Sequence, residues 1–202
     1  MRRTVQLLAL LLGLFLAGGA ARADEIEIRE TELRFGEDGL VLNAEFSFDL
    51  NARLADAVRN GIPLYFVVEF ELTRPRWYWF DEKTLTRSFQ MRLSYHALSR
   101  QYRLSTGALS LSFATLDQAE GVMRRVRNWV LAERPSLPAD AEFEAAVRMR
   151  LDRTLLPKPF QLSALTNSEW HLESTWKKFP LRVPSSAPAP VESRESARGD
   201  AR

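Results

Sequence analysis

The chain has 202 residues, of which 46% are hydrophobic and 27% are charged, and 28 basic against 26 acidic side chains give a formal net charge of +2. This composition is typical of a globular protein and excludes a collagen-like, coiled-coil or wholly disordered chain. Cysteine is absent, which excludes disulfides, cysteine-ligated metal centres and a thiol nucleophile.

The N-terminus has the pattern of a secretory signal peptide. A positively charged start precedes an aliphatic run over residues 5–16, and the small residues Ala21 and Ala23 occupy the two positions that a signal peptidase reads. We therefore expect cleavage before Asp24, which removes residues 1–23. The alternative is an uncleaved N-terminal membrane anchor, although the run is shorter than the roughly 20 residues of a membrane span.

Cleavage changes the charge balance of the chain. It removes three arginines and no acidic residue, which leaves 25 basic against 26 acidic residues and a net charge of −1. The global positive charge that would favour nucleic acid is then lost. We therefore expect a periplasmic or otherwise exported protein that binds no nucleic acid and has no membrane span after cleavage.

Alternation of polar and apolar residues predicts strands through most of the remaining chain. These strands cover residues 26–35, 40–50, 64–72, 76–81, 85–95, 102–104, 109–113, 143–151 and 170–176. A Gly-Glu-Asp-Gly turn joins the first two strands and predicts a hairpin, with a bulge near Glu30. Strand 64–72 is apolar on both faces in its first half, which predicts a central position in a sheet.

Two helices are predicted between these strands. Asn51 can cap a short helix, and Gly61 suits the position just after its end. A capping box beginning at Thr115 introduces apolar residues at helical spacing that continue to Val130. This pattern predicts one long helix that ends before Pro135.

The elements together predict a mainly β protein, an antiparallel β-sandwich with one long helix and a short helix. The alternative is an α+β fold with the helix packed on a single curved sheet. We expect a single β-rich domain over residues 24–183, with residues 157–159 as an extended connector. The Pro/Ser/Ala-rich segment 184–202 is predicted to be a disordered tail.

The search for catalytic and metal-binding motifs is mostly negative. His96 and His171 have none of the spacings of a zinc site, so we interpret them as surface or hydrogen-bonding histidines. No nucleophile-elbow or SxxK motif is present. We therefore expect no metal, no cofactor and no enzymatic activity.

Paired carboxylates support the alternative of a hydrolase. Glu142 and Glu144 would project from the same face of a strand, where two carboxyl groups could approach the separation used by glycosidases. Asp81 and Glu82 form a second pair after an aromatic run. The simpler interpretation of both pairs is a solvated strand face, since exposure is the usual state of charged residues.

The most unusual segment is residues 74–82, which contains four consecutive aromatic residues between arginines and carboxylates. Such surfaces stack on sugar rings, proline-rich peptides or bases, and neighbouring strands supply more Arg and Tyr. The alternative is a buried strand whose ring edges are covered by Arg stems. The candidate binding residues are Arg74, Arg76, Trp77, Trp79, Arg92, Tyr95, Arg100 and Tyr102.

Six sequence blocks resemble one bacterial family, the domain of unknown function 4390. These blocks are residues 61–66, 74–82, 92–95, 100–104, 148–152 and 156–161, and the resemblance covers about residues 24–180. It implies an exported proteobacterial protein, sometimes labelled a proline-rich signal-peptide protein, with no established reaction and no catalytic residues to carry over.

Two functional hypotheses follow. The first is a non-enzymatic periplasmic binding or adaptor module that holds an envelope protein, peptide or glycan against the Arg/aromatic strand face. The second is a hydrolase of envelope glycan or peptide that uses the paired carboxylates.

Overall fold

The computed structural model describes residues 25–36, 39–75, 82–133, 137–138 and 141–183. These ranges contain nine strands and three α-helices. The strands are β1 (Glu27–Gly36), β2 (Gly39–Ser47), β3 (Leu64–Arg74), β4 (Glu82–His96), β5 (Gln101–Thr106), β6 (Leu109–Phe113), β7 (Arg125–Ala132), β8 (Glu142–Leu151) and β9 (Lys177–Arg182). The helices are α1 (Ala52–Arg59), α2 (Leu116–Met123) and α3 (Lys158–Thr166).

All strand pairs within the two sheets are antiparallel. The small sheet has the order β1-β2-β7, and the large sheet has the order β6-β5-β4-β3-β8-β9. The prediction of a mainly β fold is therefore confirmed. The predicted signal peptide, the tail and the aromatic strand 76–81 lie outside the described residues. Within the described ranges, no helix has the length and apolar character needed to cross a membrane.

The predicted hairpin of β1 and β2 is confirmed, and its register shifts between Ile28 and Glu30, where the bulge was expected. β3 is central in the large sheet, between β4 and β8. The apolar first half of this strand predicted that central position.

The two sheets share one apolar core. Alternate residues of β3, from Leu64 to Leu72, are 0% exposed. The ring of Phe66 stacks on Phe48, just after β2, with centroids 5.8 Å apart. On the neighbouring strand, Phe89 meets Trp129 of β7 at 5.6 Å. These aromatic contacts tie the large sheet to the small one across the core.

Helix α1 has the termini that the sequence predicts. The Asn51 side chain accepts a hydrogen bond from the Leu54 backbone N–H at 2.9 Å, and Gly61 has φ +83°, a conformation that glycine adopts without steric cost. Leu54 and Val58 are fully buried, so α1 contributes its apolar side to the core.

The predicted long helix is wrong. Its capping box at Thr115 is present, but α2 ends at Met123 after eight residues. The chain then forms β7, which pairs with β2 and buries Val126 and Leu131. The apolar residues of β7 happen to continue the helical spacing of α2. This segment is rich in β-branched and aromatic residues, which favour strands, and its pairing with β2 makes it a strand.

Two further expectations near the C-terminus are wrong. The predicted connector at residues 157–159 begins α3, in which proline occupies the first turn; proline is tolerated there because the first N–H groups of a helix have no intrahelical acceptor. The predicted strand 170–176 starts instead in a 3₁₀ turn, Ser168–Trp170, and the last strand is β9. Trp170, Leu172 and Ser174 are buried, so the expected alternation is present. Among the described residues, however, this segment forms isolated bridges at Glu173, with Glu25 and Arg150, and no strand ladder.

Candidate functional site

The large sheet has one face against the core and one face directed away from it. Since side chains alternate along a strand, the 0%-exposed residues of β3 lie on the core side, and Tyr65, Val67 and Glu69 lie on the other. The register places Arg92 of β4 opposite Tyr65, and Arg148 of β8 opposite Glu69. We call this surface the arginine face; it consists of Tyr65, Glu69, Arg92, Arg148, Arg150 and Trp176.

Glu69 is the centre of the arginine face. Its Oε2 accepts from Arg148 Nε at 2.5 Å, and its Oε1 accepts from Arg150 Nη2 at 2.9 Å. Burial acts to raise the pKa of the Glu69 carboxyl, but the hydrogen bonds from Arg150 and Arg148 outweigh burial and hold that pKa below its ordinary value. Glu69 is therefore an ionised anchor for two arginines on the neighbouring strand.

Arg148 is held on two sides and open on a third. Its guanidinium carbon lies 4.6 Å from the ring centroid of Trp176, while its Nε donates to Glu69. Neither of its terminal nitrogens has a hydrogen-bond partner among the described residues. An oriented guanidinium with unused donors is a group that pairs with carboxylate or phosphate.

Arg92 adds a second oriented cation. Its guanidinium carbon lies 5.9 Å from the Tyr65 ring centroid, a cation–π distance. Its side chain is exposed, and in the part of the chain that the structure describes it has no acidic partner. The three arginines of the arginine face therefore exceed the two carboxylates that pair with them, Glu69 and Asp152, the latter 3.6 Å from Arg150 Nη1.

The structure separates the residues predicted to form one binding surface. Arg92 lies on the arginine face, whereas Tyr95 and Tyr102 face the core side, where their rings lie 5.0 Å apart and Tyr102 is buried. Arg74 is exposed at the end of β3, and Arg100 is exposed in the turn between β4 and β5 with φ +52°. The remaining predicted residues, Arg76, Trp77 and Trp79, lie outside the described residues.

Sequence reasoning did not select Tyr65, Glu69, Arg148, Arg150 or Trp176 as site residues. The sequence did contain a pattern that could have identified the two arginines. Residues 148–151 alternate charged and apolar side chains, which places Arg148 and Arg150 on the same face of a strand. Their convergence on Glu69 depends on the pairing of β3 with β8, which joins residues 79 and 81 positions apart.

The paired carboxylates Glu142 and Glu144 lie on β8, where each has a cation from β9. Glu142 pairs with Arg182 at 2.6 Å and Glu144 with Lys178 at 2.8 Å. They line an open depression of about 650 Å³ whose other walls include Pro75 and Phe179. The side chain of Glu142 is 72% exposed. This arrangement is a cross-strand ladder of ion pairs on a solvated edge. Asp81 of the other pair lies outside the described residues.

The two histidines have local partners. His96 is exposed, and its Nδ1 accepts from the Ser99 backbone N–H at 3.4 Å. His171 is half-buried and contacts Arg153, which also donates to the Ala164 carbonyl oxygen at 3.0 Å. No group of three or more His, Asp or Glu side chains with the geometry of a metal site occurs among the described residues.

One buried carboxylate outside the arginine face, Glu120 on α2, has a shifted pKa. Burial raises the pKa of Glu120, against the effect of Arg124, whose Nη2 lies 3.0 Å from the carboxylate. Arg124 also donates to Asp49 and to the Phe48 carbonyl oxygen at 2.8 Å. Glu120 thus fixes α2 to the segment that follows β2, which is a structural role.

Comparison with known proteins gives one match. No curated protein and no solved structure matches this chain. The model of the family described as domain of unknown function (DUF4390) matches residues 23–180. That range contains every residue of the arginine face. The chain therefore belongs to the DUF4390 family.

Proposed function

We propose that the protein is an exported, non-enzymatic binding module of the cell envelope, and that the arginine face holds an extended ligand that carries carboxylates. Export is supported by the positively charged start, the apolar run and the small residues before Asp24. A peptide or a peptidoglycan fragment with free carboxylates has the chemistry that this face complements.

The observation that carries the proposal is the state of Arg148. Glu69 and Trp176 fix the plane of its guanidinium, so little conformational entropy is lost when its free terminal nitrogens bind a ligand. Pre-orientation of this kind distinguishes a recognition arginine from a solvated one, whose side chain must be ordered by the ligand.

The geometry of the sheet supports a ligand longer than one group. Arg148 and Arg92 lie on β8 and β4, on either side of β3, and neighbouring strands are about 4.8 Å apart. Arg148 and Arg92 are therefore about 10 Å apart in the direction across the strands. They are also offset along the strands, because Arg92 lies opposite Tyr65 and Arg148 lies opposite Glu69. The rings of Tyr65 and Trp176 accompany them. An extended chain with carboxylates at intervals can contact both arginines and both rings.

The test is an equilibrium titration of the protein with soluble muropeptides and, separately, with an extended Glu-containing peptide. Arg148→Gln and Arg92→Ala should each weaken binding by at least about tenfold, since one charge-assisted hydrogen-bonded contact contributes about 1.5–3 kcal/mol. The binding should also weaken with added salt, because exposed charges are screened.

Arg125→Gln is the matched control, because Arg125 is an exposed arginine on β7 of the other sheet. It should bind like the unaltered protein. Equal weakening by Arg125→Gln would mean that total charge, and not the arginine face, controls binding. Absence of binding to both ligand classes would refute a carboxylate-binding module.

A further inference from the structure

The edge strands of the two sheets differ in how well they are protected against pairing with another chain. The two sheets end in four edge strands, β1, β7, β6 and β9. An edge strand presents unpaired backbone N–H and C=O groups, and natural proteins block such edges with charges, proline or bulges. Each edge can therefore be judged by whether it carries one of these devices.

Three of the four edges carry them. β1 alternates charged residues and has a register shift after Ile28. β7 contains Arg125 and Arg127, and its Asn128 has φ +51°. β9 contains two lysines, an arginine and Pro180. A second chain cannot pair along these strands without meeting charge, a missing N–H or an irregular backbone.

β6 carries none of them. Its sequence is Leu-Ser-Leu-Ser-Phe, with no charge, no proline and a continuous register with β5. The side chains of Leu109 and Leu111 are 76% and 53% exposed. They lie on the same face as the buried residues Tyr102 and Leu104, with which β6 is in register. No described strand pairs with the outer edge of β6, so within the described ranges this edge exposes both unpaired backbone and apolar side chains.

We propose that β6 pairs antiparallel with β6 of a second copy of this chain. The strand is self-complementary about Leu111: a two-fold axis there sets Leu111 opposite its own copy, Leu109 opposite Phe113, and Ser110 opposite Ser112. Apolar side chains meet apolar ones on one face, and hydroxyls meet hydroxyls on the other. The contact is isologous and closes as a dimer with one continuous sheet of twelve strands.

The second copy is favoured because the sequence of β6 complements itself, and charge does not oppose this pairing. An uncharged strand that meets its own copy brings no like charges together, which each of the other three edges would do. The dimer also leaves the arginine face open, because β6 lies at the edge of the large sheet and Arg148 lies on β8 near the opposite edge.

The absence of cysteine from the chain allows a direct test with single-cysteine variants. Directly opposed residues of an antiparallel pair have Cα atoms about 4.5–5.5 Å apart, within the range that a disulfide spans. Leu111→Cys should therefore convert most of the protein into a covalent dimer under mild oxidation. Leu162→Cys is the control, because Leu162 is 72% exposed on α3, and it should stay mostly monomeric.

A second measurement does not depend on cysteine chemistry. Sedimentation of the unaltered protein should give twice the mass of one chain, and Leu111→Lys should shift it to a single chain, because two lysines would then face each other across the axis. Leu162→Lys should remain dimeric. The proposal would be overturned if the unaltered protein had the mass of one chain and Leu111→Cys formed disulfides no faster than Leu162→Cys. The same result is expected if β6 pairs with a foreign peptide instead of a second copy.

Discussion

The two faces of the large sheet are formed by the same strands but differ in polarity and in exposure to water. On β3, residues from Leu64 to Leu72 at every second position are 0% exposed, whereas Tyr65 and Glu69 between them support an open set of arginines. The core face is apolar and its energy comes from burial. The arginine face is polar and its energy comes from charge pairing in partial contact with water. Stability should therefore depend mainly on one face and ligand binding on the other.

The largest effect is expected on the core face. Phe66→Ala should lower the free energy of unfolding by about 3–5 kcal/mol, because it removes a fully buried ring and leaves a cavity beside Phe48. Chemical denaturation measures this loss. Ser88→Ala, on the opposite face of β4, should change the free energy of unfolding by less than about 0.5 kcal/mol. A loss below about 1 kcal/mol for Phe66→Ala would contradict the described core.

An intermediate effect is expected at the centre of the arginine face. Glu69→Gln should lower the free energy of unfolding by about 1–2 kcal/mol at neutral pH, because Arg148 and Arg150 lose a shared anionic partner. The folded-state pKa of Glu69 lies below the value near 4.5 in the unfolded chain. Its contribution is therefore present above pH 4.5 and is lost as pH falls through the lower folded-state pKa.

Denaturation of both proteins across this range of pH measures the difference, which should close in acid. Glu71→Gln is the matched control on the same strand and face, because among the described residues the one ion pair of Glu71 is with the exposed Lys83, at 2.7 Å. It should cost less than about 0.5 kcal/mol. A Glu69→Gln difference that is independent of pH would contradict the ion-pair account.

The smallest effect on stability is expected at Arg92. This side chain is exposed and contacts the Tyr65 ring, so Arg92→Ala should change the free energy of unfolding by no more than about 0.5 kcal/mol. Denaturation of this variant shows whether its loss of ligand affinity is separate from folding. A loss above about 1 kcal/mol would assign Arg92 a structural role and weaken the contrast between the two faces.

Local patterns in the sequence were sufficient for much of the fold. Alternation predicted β2, β3 and β4, and the signals at Asn51 and Thr115 marked two helix starts correctly. Local spacing failed for β7, where residues after Met123 satisfy a helical pattern and yet pair with β2. That choice depends on a partner more than 80 residues earlier in the chain, which no local pattern contains.

The same distinction applies to the arginine face. Alternation along β4 places Arg92 and Tyr95 on opposite faces, so their separation was available from the sequence alone. The contact of Arg148 with Glu69 and Trp176 could not be predicted from the sequence alone, because it depends on the strand order of the large sheet. Of the candidate residues chosen from the sequence, Arg92 belongs to the arginine face, and the prediction of a binding surface there stays a prediction.

The most direct test of the central claim is to map a bound ligand by NMR. Backbone amide and indole resonances are followed while a carboxylate-bearing muropeptide is added to the protein. The account predicts that the largest shifts occur at Tyr65, Arg92, Arg148 and the Trp176 indole, with little change on β7. Largest shifts at the ion-paired depression of Glu142 and Glu144, or no shifts on the arginine face at saturating ligand, would contradict it.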